Sequence, residues 1–424
     1  MNERIVVGLD IGTTKVCAVV ASADDLGRIN VLGMGLAASD GLNRGVVVNI
    51  DRTVAAVREA VSEAERVAGV RVQSVIVGIA GDHVQSLQSR GVVAVSNRDG
   101  EITEADVHRL LEDTTYMAMP TPADREILHV IPQDFIVDGQ DGVADPVGMS
   151  GVRLEANVHI ITGLVSAVKN IYRCVEKAGY QVADIVLEPL GSSFSVLHPD
   201  EKEVGVAIID IGGGTTDIAV FEDNTIRHTA VVAIAGNKVT DDIRKGLGVM
   251  RDQAERLKCD FGIAIVDAVD ADERISIPGI GGRPDKSIGR STLAQIIQPR
   301  MEEILEIAGI EIERSKYMSH LSGGAVLTGG GSLIPGTAEL AAEILGMETR
   351  VGRPMGLGGG LVEEVCNPKF ATAVGLVLYG LRPEMIGGTP FRSDMGELVG
   401  EEAVPGETLV TKIASRMKSW FDEL

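Results

Sequence analysis

The sequence predicts an α/β protein of two domains built on a duplicated strand–turn–strand unit. A small α+β subdomain is inserted in the first domain, and an amphipathic helix closes the chain. Three observations carry this prediction. "VVGLDIGTTKVCAV" (residues 6–19) and "AIIDIGGGTTDIAV" (residues 207–220) repeat one pattern, with Asp10 and Asp210 200 positions apart. Residues 83–161 carry a strand–helix–strand–strand pattern of their own. The last residues, "TLVTKIASRMKSWFDEL", set apolar side chains at helical spacing.

Composition supports the class. A chain of 424 residues is long for one core. Its hydrophobic share of 45% and charged share of 24% are those of an ordinary globular protein. Aromatics make up only 3%, so the cores are built from Val, Ile, Leu and Ala, which favours sheets flanked by helices. A net charge of −22 repels a phosphate backbone and excludes nucleic acid as a general partner. Cys17, Cys174, Cys259 and Cys366 form no CxxC pair and read as inert thiols of a reducing cytosol. The histidines show no metal-ligand spacing. "MNERIVVGLD" reaches an aspartate too soon for a signal peptide. No apolar run approaches the ~20 residues of a membrane span, and "FATAVGLVLYGL" (residues 370–381) reads as a buried helix. The expected location is cytosolic, or attached at a membrane surface.

Each repeated unit reads as a β-hairpin. Residues 5–9 and 204–209 are β-branched runs short enough for buried strands, and residues 16–20 and 218–221 follow the turns. Gly12, Gly212, Gly213 and Gly214 let backbone N–H groups approach a ligand. Successive N–H groups form a concave anion site, to which the hydroxyls of Thr13, Thr14, Thr215 and Thr216 add donors. A carboxylate beside a phosphate is repulsive, so Asp10 and Asp210 call for Mg²⁺ between, held through water. Either copy alone also reads as a plain glycine-turned hairpin. Two matched copies read as the halves of one polyphosphate clamp.

The pair "DIGTTK … DIGGGTTD" resembles the phosphate-1 and phosphate-2 motifs of the actin, Hsp70 and sugar-kinase superfamily, whose actin-like fold is a duplicated ribonuclease-H-like unit. The superfamily's adenosine motif is matched by "AVLTGGGSLIPG" (residues 325–336), where a strand ends in Gly329, Gly330 and Gly331, followed by Ser332. "VLEPLGSSFSVL" (residues 186–197) and "NPKFATAVGLVLYG" (residues 367–380) resemble the two connecting helices. "GNKVTDDIRKGLGVMRDQAERLKCDFG" reads as a helix opened by Gly236 and Asn237, on which Glu255 and Lys258 share the face that meets the nucleoside in the superfamily.

The resemblance implies ATP and Mg²⁺ as cofactors, Asp10 and Asp210 at the metal, and the turn residues on the phosphates. Lys15 either reaches a phosphate or is an exposed lysine after a turn. Glu188 stands where superfamily hydrolases keep a water-orienting residue, or else caps a helix before Pro189; Asp217 is placed to assist the same water. Slow hydrolysis at most is expected. "GMGLAA" (residues 33–38) matches a dinucleotide fingerprint by chance, without the strand–turn–helix unit around it, and there is no Walker A sequence.

The remaining elements follow in order. Asp51 is expected to cap a helix to residue 67 with Val54, Val57, Val61 and Ala64 on one face, and residues 72–80 to form a strand. In the insertion, "VVAVS" is a strand and Thr103 with Asp106 caps a helix to about Met117. "REILHVIPQDFIV" and "RLEANVHIIT" are two further strands. This order resembles the 1C subdomain of the FtsA family of actin-like bacterial cell division proteins.

After Pro383 a Gly-, Pro- and Glu-containing stretch reads as a flexible linker to Glu407. In the terminal helix Leu409, Val410, Ile413, Met417, Trp420, Phe421 and Leu424 form the apolar stripe, with Lys412, Arg416 and Lys418 elsewhere. Such a stripe either docks on its own domain or lies on a membrane. The linker, the local basicity and the chain's only Trp favour an anionic membrane surface.

The family resemblance covers the whole chain and implies four subdomains. Subdomain 1A takes residues 1–82, 162–196 and 367–383; 1C takes 83–161; 2A takes 197–235 and 324–366; 2B takes 236–323. A linker (384–407) and the membrane-targeting helix (408–424) follow. It further implies self-assembly into filaments, attachment of FtsZ to the cytoplasmic face of the inner membrane at the division site, and recruitment of later division proteins. The FtsZ C-terminal peptide is expected on 2B, where Arg283, Lys286, Arg290 and Arg300 pair with an acidic, apolar peptide or are ordinary solvated charges. A sugar kinase needs a substrate cleft with a catalytic Asp, which the sequence does not offer. An Hsp70-type chaperone needs a long domain after the second connecting helix. Pilus-assembly ATPases have a similar insertion but are not expected to end in this linker and helix.

Overall fold

The computed structural model describes residues 4–24, 26–118, 124–270, 272–277, 279 and 284–381. The expected linker and terminal helix, with the membrane-facing set from Leu409 to Leu424, lie outside the described residues, as does Arg283.

The first repeated unit, Arg4–Ile11 and Lys15–Ala23, forms the middle of a six-stranded sheet. Its order is Gln181–Leu187, Ser74–Ile79, Arg4–Ile11, Lys15–Ala23, Ile29–Ala38 and Gly359–Gly360. Strand alternation sends Leu9, Val16, Ala18 and Val20 to one face and Cys17, Val19 and Ala21 to the other. The first face packs on helix Ile50–Ala68 through Val57, Ala60, Val61 and Ala64. The second packs on helix Ala371–Leu381 through Val374 and Val377. Burial on both faces is why these strands are apolar throughout rather than alternating. Asn49, not Asp51, caps the first helix: its side chain accepts from the Arg52 N–H, and Asp51 lies in the first turn.

The second unit, Val206–Ile211 and Thr216–Glu222, lies within a five-stranded sheet ordered Thr225–Val232, Thr216–Glu222, Val206–Ile211, Ala325–Thr328 and Thr349–Val351. Its first strand starts at Val206 rather than at 204, because Pro199–Val204 is a short helix. The single helix expected over 236–262 is two, Gly236–Leu247 and Arg251–Phe261, parted where Gly248 turns left-handed at φ 64°. The long helix Arg290–Arg314 packs beside them and buries Leu293, Ile297, Met301, Ile304 and Leu305.

The insertion is a four-stranded antiparallel sheet, ordered Gln85–Ala94, Arg153–Leu164, Arg125–Val137 and Gln140–Val143, under helix Glu104–Ala118. Asp106 fixes the helix start by accepting from the Thr103 and Ser96 backbone N–H groups and hydroxyls. This subdomain touches both halves. On the first, the Leu187 N–H donates to His129 Nε2 at 3.0 Å. On the second, it covers the outer edge of Thr225–Val232: Gln133 donates to Ile226 and Arg227 carbonyls, Gln88 to the Arg227 carbonyl and Ser86 to the Thr229 carbonyl. Buried Arg227 donates in turn to Asp134 at 2.6 Å.

Helices Glu188–Val196 and Ala371–Leu381 cross beneath the cleft between the two sheets. They meet glycine to glycine. A Cβ on Gly375 would lie 1.9 Å from the Gly191 carbonyl oxygen, so the backbones touch where any side chain would hold them apart.

Candidate functional site

The two hairpins are built alike to the residue. The Gly12 N–H donates to the Lys15 carbonyl at 2.9 Å, and the Gly212 N–H to the Thr215 carbonyl at 2.9 Å. In register, Asp10 faces Cys17 and Asp210 faces Asp217. The turns meet tip to tip. A Cβ on Gly213 would lie 2.4 Å from Thr14 Cγ2, and one on Gly214 would lie 2.4 Å from Thr13 Oγ1. Among the described residues the backbone N–H groups of Thr13, Thr14, Gly213 and Gly214 enter no hydrogen bond, which leaves donors from both halves at one spot.

Below the tips lies a buried group of acids. Asp10, Asp210 and Asp217 are 5%, 8% and 3% exposed. Lys15 Nζ pairs with Asp10 Oδ2 at 2.7 Å. Burial works against the ammonium, yet the Asp10 carboxylate holds Lys15 above the ordinary lysine value. Asp210 Oδ2 accepts from Ser192 Oγ at 2.8 Å and from Thr372 Oγ1 at 3.4 Å. Burial, partly offset by the Ser192 hydroxyl, pushes Asp210 up to about 6. Thr215 Oγ1 donates to Asp217 Oδ2 at 3.0 Å, whereas Asp217 Oδ1 is buried and has no partner among the described residues. Burial and then Asp210 raise Asp217 well above the carboxylate range.

Glu188, first residue of its helix, packs over Gly78, whose Cβ would lie 3.0 Å from Glu188 Cγ. Burial, followed by Asp10, Asp217 and Asp210, drives its carboxyl well above the ordinary value. Mutually repelling buried carboxyls with one orphaned oxygen suit a hard cation. Among the described residues no three or more His, Cys, Asp or Glu gather as a metal cage.

A second group flanks the tips. The Gly236 and Asn237 N–H groups donate to the carbonyls of Gly212 and Gly213, tying helix Gly236–Leu247 to the second turn. Lys258 Nζ reaches the Gly236 carbonyl (3.3 Å), Thr240 Oγ1 (3.0 Å) and Glu255 Oε2 (2.8 Å). Burial opposes the Glu255 charge, but Lys258 beside it holds the carboxyl below its usual range. Gly329, Gly330, Gly331 and Ser332 follow strand Ala325–Thr328 directly. A Cβ on Gly329 would meet Asp210 Oδ1 at 2.3 Å, one on Gly331 would meet Ile211 Cγ2 at 2.3 Å, and one on Gly330 would meet nothing within 4 Å.

Not every expected side chain faces this spot. The Thr216 hydroxyl is buried and donates to the Ile234 carbonyl, and the Ser332 hydroxyl donates to the Gly329 carbonyl. Arg290 and Arg300 lie apart from it. Arg290 is engaged by Glu273 and the Phe261 carbonyl, and Arg300 by Asp242 at 2.6 Å and by Glu303. Three residues at or beside the site escaped the sequence reading: Ser192, Thr372 and His129. The first two had a signal, hydroxyls on helices buried along almost their whole length. His129 sat in a strand with nothing to mark it.

Two family models match the chain. The one described as "Cell division protein FtsA" covers residues 207–375, and "SHS2 domain inserted in FTSA" covers residues 81–162. The chain is 43% identical over 419 residues to cell division protein FtsA of Pseudomonas aeruginosa, spanning 99% of this chain and 98% of that protein. It is 39% identical over 396 residues to that of Bacillus subtilis, spanning 93% and 88%. Among solved structures, the "PilM-PilN type IV pilus biogenesis complex" superimposes with TM-score 0.65 at 16% identity, covering 89% of this chain and 98% of that one. MreB5 of Spiroplasma citri bound to ADP does so with TM-score 0.52 at 16% identity, covering 90% and 98%. The structural likenesses establish an actin-like fold. The sequence relatives go further: this chain belongs to the FtsA family and acts in cell division.

Proposed function

We propose that the chain binds ATP with Mg²⁺ between the two hairpins, polymerises on the cytoplasmic face of the inner membrane, and tethers the FtsZ ring to it while recruiting later septation proteins. The observation that carries the nucleotide reading is the meeting of two matched turns with unpaired N–H groups above buried carboxylates. In this reading Gly12, Thr13, Thr14 and Lys15 hold phosphates from one side, and Gly212, Gly213, Gly214 and Thr215 from the other. Asp10 and Asp210 hold Mg²⁺, which when bound neutralises phosphate charge. The Gly236, Asn237, Glu255 and Lys258 group and the Gly329–Gly330–Gly331 turn take the nucleoside. Glu188, assisted by Asp217, orients water for at most slow hydrolysis.

The division role is read through the terminal helix. One short amphipathic helix binds a bilayer marginally. Many on one filament make later contacts intramolecular and raise binding by ~10²–10⁴. Nucleotide closes the halves, closure favours polymer, and polymer makes attachment firm. An acidic FtsZ peptide is placed along the exposed side of helix Arg290–Arg314, where it competes with Asp242 and Glu303 for Arg300.

Vesicle co-sedimentation tests the reading. The full-length chain is expected to pellet with anionic vesicles more strongly with ATP than without. Trp420→Glu is expected to abolish pelleting and leave ATP binding intact. A variant that stays monomeric yet binds vesicles as tightly as the polymer would overturn the coupling.

A further inference from the structure

The carboxylate of Asp210 is held from outside its own sheet. Ser192 belongs to helix Glu188–Val196 and Thr372 to helix Ala371–Leu381, the two helices that cross at Gly191 and Gly375. Ser192 is fully buried, and Thr372 and Asp210 are 7% and 8% exposed. The Ser192 hydroxyl gives its single proton to Asp210 Oδ2 at 2.8 Å. The two hydroxyls lie 3.0 Å apart, and Thr372 stands 3.4 Å from the same carboxylate oxygen. With the Ser192 proton committed, the shorter Thr372 contact is a donation to Ser192 Oγ. The order is then Thr372 to Ser192 to Asp210, a chain in which each donor polarises the next. The chain ends on Oδ2, while Oδ1 lies against Gly329, where a Cβ would approach it to 2.3 Å. The carboxylate plane is thus fixed by one helix of each connection and by a glycine of the neighbouring strand end.

We infer that Ser192 and Thr372 are positioning residues for the metal-holding carboxylate of Asp210, so that the helix crossing sets how well the chain retains the cation of its nucleotide. This rests on the reading of Asp210 as a Mg²⁺ residue, and it adds two side chains which that reading leaves without a role. The geometry explains why the crossing is made of bare backbone. The Gly375 Cβ position is 3.2 Å from the Ser192 backbone nitrogen, so a side chain there would push away the helix that carries the principal donor. It also separates the inference from mere satisfaction of a buried acid. A satisfying hydroxyl affects folding alone, whereas a positioning one affects cation affinity at constant nucleotide affinity.

The experiment titrates Mg²⁺ into full-length protein with a fluorescent ATP analogue and reads the midpoint. Parallel titrations in chelator give the metal-free nucleotide affinity, and apo melting curves report folding. Ser192→Ala is expected to raise the Mg²⁺ midpoint about 10-fold, the low end for a hydrogen bond to a charged group. Thr372→Val, acting through Ser192, is expected to raise it about 3-fold, and Thr372→Ser to restore it. Metal-free affinity stays within 2-fold throughout. Asp210→Asn is the control for the underlying reading and is expected to remove the Mg²⁺ dependence. A wild-type midpoint in folded Ser192→Ala and Thr372→Val, with Asp210→Asn shifted, overturns the inference and leaves the Asp210 reading standing. An unshifted Asp210→Asn overturns both. If Ser192→Ala does not fold, the Thr372 pair decides by the same criterion.

Discussion

At Glu188 a carboxyl shares a dry patch with Asp10, Asp210 and Asp217, and one ammonium, Lys15, answers them. Burial and these neighbours raise its proton affinity above that of the unfolded chain. The folded state therefore binds the proton more tightly, and stability is lost as pH rises from the ordinary glutamate value toward the raised one. Glu188→Gln removes this penalty. Without divalent cation, the variant is expected to melt above wild type by about 2–4 °C at pH 7, the shift that ~1 kcal/mol gives in a large domain. The gap should close as pH falls to about 4.5. A gap independent of pH in scanning fluorimetry would contradict the electrostatic account. At this scale the sequence spoke only in part. Doubling made Asp10 and Asp210 visible, with Asp217 opposite Asp210 in its hairpin, and the motif resemblance singled out Glu188, but their burial as one group joins hairpins 200 residues apart. That convergence has no local signature.

Among the elements, the crossing of the two connecting helices makes the sharpest demand. Gly375 admits no Cβ because the Gly191 carbonyl lies 1.9 Å from where it would sit, whereas a Cβ on Gly191 would meet Leu376 at an ordinary 3.4 Å. Gly375→Ala is expected to cost about 2–3 kcal/mol through forced backbone movement. Gly191→Ala is expected to cost well under half of that. Urea midpoints compare the pair, and equal losses would refute the contact picture. The same elements show what sequence conveys well. Strand Ala325–Thr328, strand Arg125–Val137 and the buried helix ending the described chain were legible because β-branched runs and all-round apolar character are local properties. Helix boundaries were less so. Gly248 split one expected helix into two, and Asn49 displaced Asp51 as a cap, each through backbone angles that composition does not state.

For the molecule as a whole, the inserted subdomain adds to the connecting helices a second grip on both halves. On its second contact, His159 Nδ1 accepts from Gln88 while Nε2 donates to Thr229 Oγ1 at 3.0 Å, an arrangement open only to the neutral ring. Burial, with His228 and His129 nearby, pushes His159 down to about 3. A depressed histidine leaves its contribution fully present above the unfolded value of ~6.5 and loses it as pH falls toward the folded one. Amide exchange in Thr225–Val232, corrected for intrinsic rates, is therefore expected to quicken between pH 7 and 5.5. His159→Gln should flatten that dependence. Gripping by side chains has a geometric corollary. Glutamine amides and a serine hydroxyl already occupy carbonyls along that flank, so a segment from a neighbouring molecule finds no ladder there to extend. Growth of this sheet by annexing a foreign strand is left to the opposite flank, Thr349–Val351, three residues long.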